Sequence, residues 1–147
     1  MATPFVDSVR LFVDGGCRGN PGPGAIGIVI RDGANCLLYE HSDVIGSATN
    51  NRAEYQALIK GLDLCARFTR RRVTCFCDST LVVNHMNRVW RLKNDHLRAM
   101  FHQVKDRERP FDTVVYQHVG RLNGDIKRAH KLLNDAFEGR CVSRAAT

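Results

Sequence analysis

Three carboxylates stand where the surrounding sequence is apolar. Asp14 closes the run Leu11-Phe12-Val13, and Asp78 closes "RRVTCFC". Both runs read as buried strands, and in open α/β sheets sites form at the carboxyl ends of strands. Glu54 lies four and eight residues before Leu58 and Leu62, on the apolar stripe of a helix. A carboxylate near the inward face is costly unless it is paired or binds a metal. Each acid taken alone has a plainer reading. Asp14 and Asp78 suit turns or caps, and Glu54 suits a first helical turn favoured by the dipole. Taken together, the three supply hard oxygen ligands of the kind Mg²⁺ prefers. Two such ions roughly 3.5–4 Å apart can clamp the attacking and leaving oxygens of an in-line phosphoryl displacement. No Cys/His nucleophile or Ser-His-Asp elbow competes.

The elements that must position these acids follow from periodicity. Residues 9–13, 25–30 ("AIGIVI") and 36–40 read as strands, with Asp32-Gly33 as a turn, giving an antiparallel meander. Residues 48–68 read as a helix that Thr49 or Asn50 can cap. A strand at 71–78, a short helix at 79–87 opened by Ser79 and an amphipathic helix at 95–106 follow. A strand at 111–119 and a last helix at 124–139, stopped by Gly139, complete the order βββ-α-β-α-α-β-α. Strands alternating with helices imply parallel pairing in the second half. The expected fold is α/β: a five-stranded mixed sheet, three antiparallel strands then parallel ones, flanked by helices. One domain spans 1–147, with its core at about 8–139 and a frayed tail at 140–147.

The chain has 147 residues and a net charge of +7. That excess favours a polyanionic partner, nucleic acid before an anionic membrane, although it also suits a merely soluble basic protein. No apolar run approaches the roughly 18 residues of a membrane span. "MATPFVDSVR" lacks the features of a signal peptide. The six cysteines include no CxxC pair and no zinc-ligand spacing, and read as reduced thiols. A cytoplasmic monomer without a small-molecule cofactor is expected.

"LFVDGGCRGNPGPGAIGIVI", "ATNNRAEYQALIKGL", "TCFCDSTLVVNHMN" and "VWRLKN" together resemble type 1 ribonuclease H, in order and spacing, over residues 8–138. The resemblance implies a ribonuclease H-like fold and hydrolysis of the RNA strand of an RNA–DNA hybrid with two Mg²⁺ or Mn²⁺ ions. Asp14, Glu54 and Asp78 fall on three of the family's metal ligands. By the same resemblance, Gly16, Cys17, Arg18 and Gly19 bring bare backbone to the RNA minor groove, where 2′-hydroxyls distinguish RNA from DNA. Asn20, Asn50 and Asn51 fit the family's polar contacts to sugar, base and phosphate. The long basic protrusion of the family is absent. In its place Trp90 would pack, or simply anchor the core, while Arg91 and Lys93 face the hybrid.

The pattern breaks at the fourth acid. "AHKLLNDA" (129–136) puts His130 where the family carries aspartate. Imidazole is softer than carboxylate and suits Mn²⁺ better than Mg²⁺. His130 is therefore either a weak metal ligand or a solvent-facing helix residue, with Asp125, Asn123 and Asn134 as alternative oxygen donors. His118 aligns with the family's mobile histidine and offers an imidazole able to shuttle a proton; a structural role at the strand end is the alternative. A non-catalytic hybrid-binding domain remains the competing reading of the whole.

Overall fold

A computed structural model describes residues 5–146. The chain runs β1 (Ser8–Cys17), β2 (Gly22–Asp32), β3 (Leu37–Ala48), α1 (Asn50–Cys65), β4 (Arg72–Cys77), α2 (Thr80–Met86), α3 (Asp95–Arg107), β5 (Thr113–His118), α4 (Gly124–Phe137) and β6 (Ser143–Ala145). One sheet holds all the strands in the order β5-β4-β1-β2-β3-β6. β1, β2, β3 and β6 pair antiparallel in succession, and β4 joins β1 and β5 in parallel.

Strand alternation divides the core. Val9, Leu11 and Val13 of β1 point to the same side as Val73, Cys75 and Cys77 of β4, where Leu58 and Leu62 of α1 and Met100 of α3 meet them. Phe12 and Phe76 point the other way, stack at 4.7 Å, and pack with Ile126, Ala129 and Leu132 of α4. "AIGIVI" is buried on both faces for this reason. At Gly27 in that run, an added Cβ would strike the Ala129 carbonyl, so the bare backbone lets α4 cross the sheet closely.

The structure corrects four expectations. β1 does not stop at Asp14: Gly15, Gly16 and Cys17 continue the ladder against Ile26, Ala25 and Gly24, placing Asp14 inside the strand. Flexible residues do not end a strand whose antiparallel partner runs on beside them. Glu54 is the fifth residue of α1, beyond its first turn, because Thr49 caps the helix and its hydroxyl accepts the Arg52 amide at 3.2 Å. The dipole reading of Glu54 therefore falls. The sheet has six strands rather than five, and the tail is not frayed, since Ser143–Ala145 pairs with Tyr39, Glu40 and His41.

This sixth strand is held by polar groups, which hydropathy does not register. Ser143 Oγ hydrogen-bonds Tyr39 Oη at 2.7 Å and His41 Nδ1 at 3.0 Å. Buried Glu40 accepts Arg128 Nε from α4 at 2.6 Å and Arg144 Nη2 from β6 at 3.2 Å. Arg128, and then Arg144, hold the Glu40 carboxyl below its usual range against the opposing effect of burial. A depressed carboxyl stabilises the fold above its unfolded pKa, and that stability is lost as pH falls through the folded value. Glu40→Gln is expected to destabilise the protein by about 1–2 kcal/mol near neutral pH. Urea melts of both proteins should converge only once pH falls below the lowered Glu40 value, under the ordinary carboxylate range; a gap that persists there would place the effect in packing instead.

Candidate active site

β1, α1 and β4 lie side by side and carry one acid each into a common cleft. Asp14 projects from β1 and is 5 % exposed, while Glu54 projects from α1 and is 8 % exposed. Asp78 follows the last residue of β4. Ser79 caps α2 next to it, its hydroxyl accepting the Val82 amide at 3.2 Å. The helix-cap reading thus belongs to Ser79 and leaves Asp78 free to face the cleft.

Gly15 makes the closeness of β1 and α1 possible. A Cβ there would collide with the Ala53 carbonyl and sit 2.7 Å from the Glu54 nitrogen. Its amide donates to Glu54 Oε1 at 3.1 Å. The Cys77 thiol donates to Glu54 Oε2 at 3.2 Å. The donor atoms of Glu54, Cys77 and Asp78 all lie within 4.8 Å of one another.

Burial raises the Glu54 carboxyl well above its ordinary value, and the charges of Asp14 and Asp78 add to the rise. Burial also raises Asp14, opposed by its hydrogen bond to His130. Three carboxylates thus share a partly desolvated space with little positive charge. Arg121, itself largely exposed, reaches Asp78 at 3.5 Å, and His130 Nδ1 lies 2.8 Å from Asp14 Oδ2. A divalent cation would relieve both the burial and the repulsion, so the donor set fits a hard metal ion.

The other expected residues separate into two groups. Gly16, Cys17, Arg18, Asn50, Asn51 and His130 line the cleft with the acids. Asn50 Oδ1 accepts the Cys17 amide at 3.2 Å, and Asn20 Oδ1 accepts the Asn50 amide at 3.2 Å, which ties the glycine-rich segment to the start of α1. The Cys17 thiol turns to the carbonyl of Gly19, whose φ is +86°. Arg18 bends toward α4, 2.8 Å from Glu138 and over the Phe137 ring at 4.5 Å.

Trp90 and Lys93 stand apart from the cleft in the irregular segment between α2 and α3. Trp90 is 48 % exposed, so it does not anchor the core. His118 ends β5 opposite Cys77, is exposed, and is not among the residues lining the cleft.

Among the alternatives to His130, Asp125 holds Arg31 at 2.9 Å, and Asn123 caps α4 by accepting the amides of Asp125 and Ile126. Only Asn134 lines the cleft with His130. The sequence reading missed Cys77, Arg121 and Lys127. Cys77 read only as one of six reduced thiols, although its place directly before Asp78 was the available signal. Arg121 and Lys127 carry no pattern of their own.

A family model described as reverse transcriptase-like matches residues 12–136. A bifunctional protein of Mycobacterium tuberculosis is 37 % identical over 139 residues, covering 94 % of this chain but only 38 % of the relative. The chain therefore spans less than half the length of that relative. The crystal structure of RNase H1 from the archaeon Halobacterium salinarum is similar with a TM-score of 0.85 and 34 % identity, over 90 % of this chain and 99 % of that one. LC11-RNase H1, solved in complex with an RNA/DNA hybrid, gives a TM-score of 0.81 at 33 % identity, over 89 % of this chain and 97 % of that one. Similarity of sequence and of fold over nearly the whole chain places it in the type 1 ribonuclease H family.

Proposed function

We propose that the chain is a metal-dependent endoribonuclease that hydrolyses the RNA strand of an RNA–DNA hybrid. The convergence of Asp14, Glu54 and Asp78 from three separate elements on one open cleft carries this reading. The hybrid bound to the similar LC11-RNase H1 supports the substrate class. All described strands share one sheet, which supports a single domain.

Asp14, Glu54 and Asp78 would hold Mg²⁺ or Mn²⁺, which, when bound as a pair, would activate water and stabilise the charge of phosphoryl displacement. The protein's own groups prepare the site. The Gly15 amide and the Cys77 thiol fix both oxygens of Glu54. His130 fixes one oxygen of Asp14. Arg121 and Lys127 at the rim attract the phosphodiester. Nothing lies within 4 Å of a Cβ built on Gly16, so a minor groove can approach the backbone there. Asn50 and Asn51 offer side-chain amides beside it, and Gly19 and Asn20 shape the turn. Trp90 and Lys93, exposed beyond the cleft, suit the hybrid's more distant DNA strand. His118, exposed at the end of β5, suits proton shuttling during product release.

The test is cleavage of an end-labelled hybrid in Mg²⁺ and in Mn²⁺, with duplex DNA and duplex RNA alongside. RNA-strand cleavage of the hybrid, abolished by Asp78→Asn, is the expected result. A hybrid that is bound yet uncut in either metal would leave a binding module.

His130 sets the metal preference. It replaces a negative oxygen donor with a softer neutral one, which weakens Mg²⁺ more than Mn²⁺. His130→Asp is expected to lower the Mg²⁺ concentration for half-maximal activity about tenfold, equivalent to about 1.4 kcal/mol. Equal dependence on the two ions before and after the substitution would remove His130 from metal selection.

A further inference from the structure

We propose that His41 is a proton-operated clasp for β6: the neutral imidazole keeps this strand docked on β3, and its protonation lets the strand go. The clasp shares no residue with the acidic cleft, and it does not rest on the nuclease reading.

β6 has little apolar contact to hold it. Ser143, Arg144 and Ala145 are exposed, and they pair with only Tyr39, Glu40 and His41 of β3. Side chains reinforce that short ladder on both faces of the sheet. Toward α4, Arg144 reaches Glu40. Toward α1, Ser143 Oγ stands between Tyr39 Oη and His41 Nδ1. His41 itself is 7 % exposed. Among the described residues, its Nε2 is the one buried side-chain nitrogen or oxygen with no hydrogen-bond partner.

Proton counting sets the direction of this chain of hydrogen bonds. Arg67 Nη1 can only donate, and it meets Tyr39 Oη at 3.5 Å. The Tyr39 hydroxyl then donates to Ser143 Oγ, and the Ser143 hydroxyl donates to His41 Nδ1. The last step needs a lone pair on Nδ1. A proton there removes the acceptor, and one hydroxyl proton of the Tyr39–Ser143 pair loses its partner within the protein. The same proton makes the ring a cation whose other N–H, at Nε2, is buried and unpaired. The groups around the ring do not offset that charge. Lys60 of α1 and Arg67 just beyond α1 repel it, Asp43 of β3 attracts it but is exposed, and Ile28 opposite on β2 is apolar. Burial first, and then Lys60, hold the imidazole below its ordinary value. Once β6 leaves, water reaches the ring and the cation is no longer penalised. Protonation and docking therefore oppose each other, as in other histidine switches. Docking is strongest above the ordinary histidine value of about 6.5. It weakens as pH falls below that value, by up to about tenfold per pH unit for one proton, until the docked ring is itself protonated.

The test follows amide hydrogen exchange by NMR in the whole protein, without metal or hybrid, from about pH 7.5 to about pH 5. The Ala146 amide donates to the Leu38 carbonyl and the Ser42 amide to the Val142 carbonyl, so both report on the docking of β6. Amides of β2, in the interior of the sheet, report on global unfolding. After correction for the intrinsic pH dependence of exchange, opening at Ala146 and Ser42 should rise by about threefold or more as pH falls, with no matching rise in β2. The His41 ring protons should titrate over the same range, below the ordinary histidine value. His41→Gln should flatten the profile. Glu40→Gln should keep it, because Glu40 titrates below the ordinary carboxylate range. A flat profile in the wild type, a rise that β2 shares equally, or a rise that survives His41→Gln overturns the proposal. So does a His41 ring that titrates at or above its ordinary value while β6 is docked, a reading taken on the wild type that stands even if the variant does not fold.

Discussion

Glu54→Gln is expected to abolish hybrid cleavage, by at least a thousandfold or about 4 kcal/mol of barrier, while making the metal-free protein more stable. The two effects share one cause. Glu54 is buried beside Asp14 and Asp78, and its charge is raised in energy by burial and by both neighbours. The amide is isosteric: its oxygen still accepts the Gly15 amide, and its volume still fills the space between β1 and α1. What is lost is a negative charge at the proposed metal site, and what is relieved is repulsion among three acids. A gain on the order of 1 kcal/mol is expected, in the usual range for relieving a functional strain. If Glu54 holds the ion as proposed, Mg²⁺ should raise the melting temperature of the wild type and leave that of the variant nearly unchanged. Melting curves with and without Mg²⁺, beside a cleavage assay, check both signs. A variant that keeps a tenth of the activity would remove Glu54 from the metal set; one that melts lower without metal would show that the acids are not strained against one another.

The second large effect separates two adjacent glycines. Gly15→Ala is expected to cost about 3 kcal/mol and lower the melting temperature by about 10 °C. The added methyl meets backbone, the Ala53 carbonyl, and backbone cannot rotate away as a flexible side chain would. α1 must retreat from β1 and takes Glu54 with it, so activity falls together with stability. Gly16→Ala meets nothing within 4 Å and should leave stability within about 0.5 kcal/mol of wild type. Its methyl points into the space assigned to the minor groove, so KM for the hybrid should rise severalfold with little change in kcat. Equal losses of stability at the two positions would contradict the packing described for Gly15. An unchanged KM in Gly16→Ala would move the hybrid away from this backbone.

Much of the architecture is written in local pattern. Alternating and helical periodicities mark every element from β1 to α4, because each buries a regular face and leaves a regular trace in the chain. The three acids are visible for the converse reason: a carboxylate at the edge of an apolar run needs a partner, and the chain spends three of them. The glycine-rich run also announces a close backbone approach. Which approach it was, only the structure decided. Gly15 makes room for α1, while Gly16 stands open.

Other features have no local trace because they are contacts between distant residues. His130 meets Asp14 across 116 positions, and nothing near either residue distinguishes a histidine facing the cleft from one facing solvent. Arg18, read as a substrate contact, is drawn to Glu138 across 120 positions. β6 contains no apolar side chain long enough to register as a strand, and exists because Glu40, Tyr39 and His41 offer it polar partners. Cys77 alternates with Cys75 like any core residue, until the approach of α1 sets Glu54 against its sulfur. The sequence by itself therefore determined the elements from β1 to α4, the antiparallel meander, the parallel pairing of the later strands and the acids of the cleft, since those depend on periodicity and on the cost of burying charge. The tertiary structure alone decided the order of the strands and which groups surround those acids, since hydrogen bonds between residues 23 to 116 positions apart are fixed by how the elements pack.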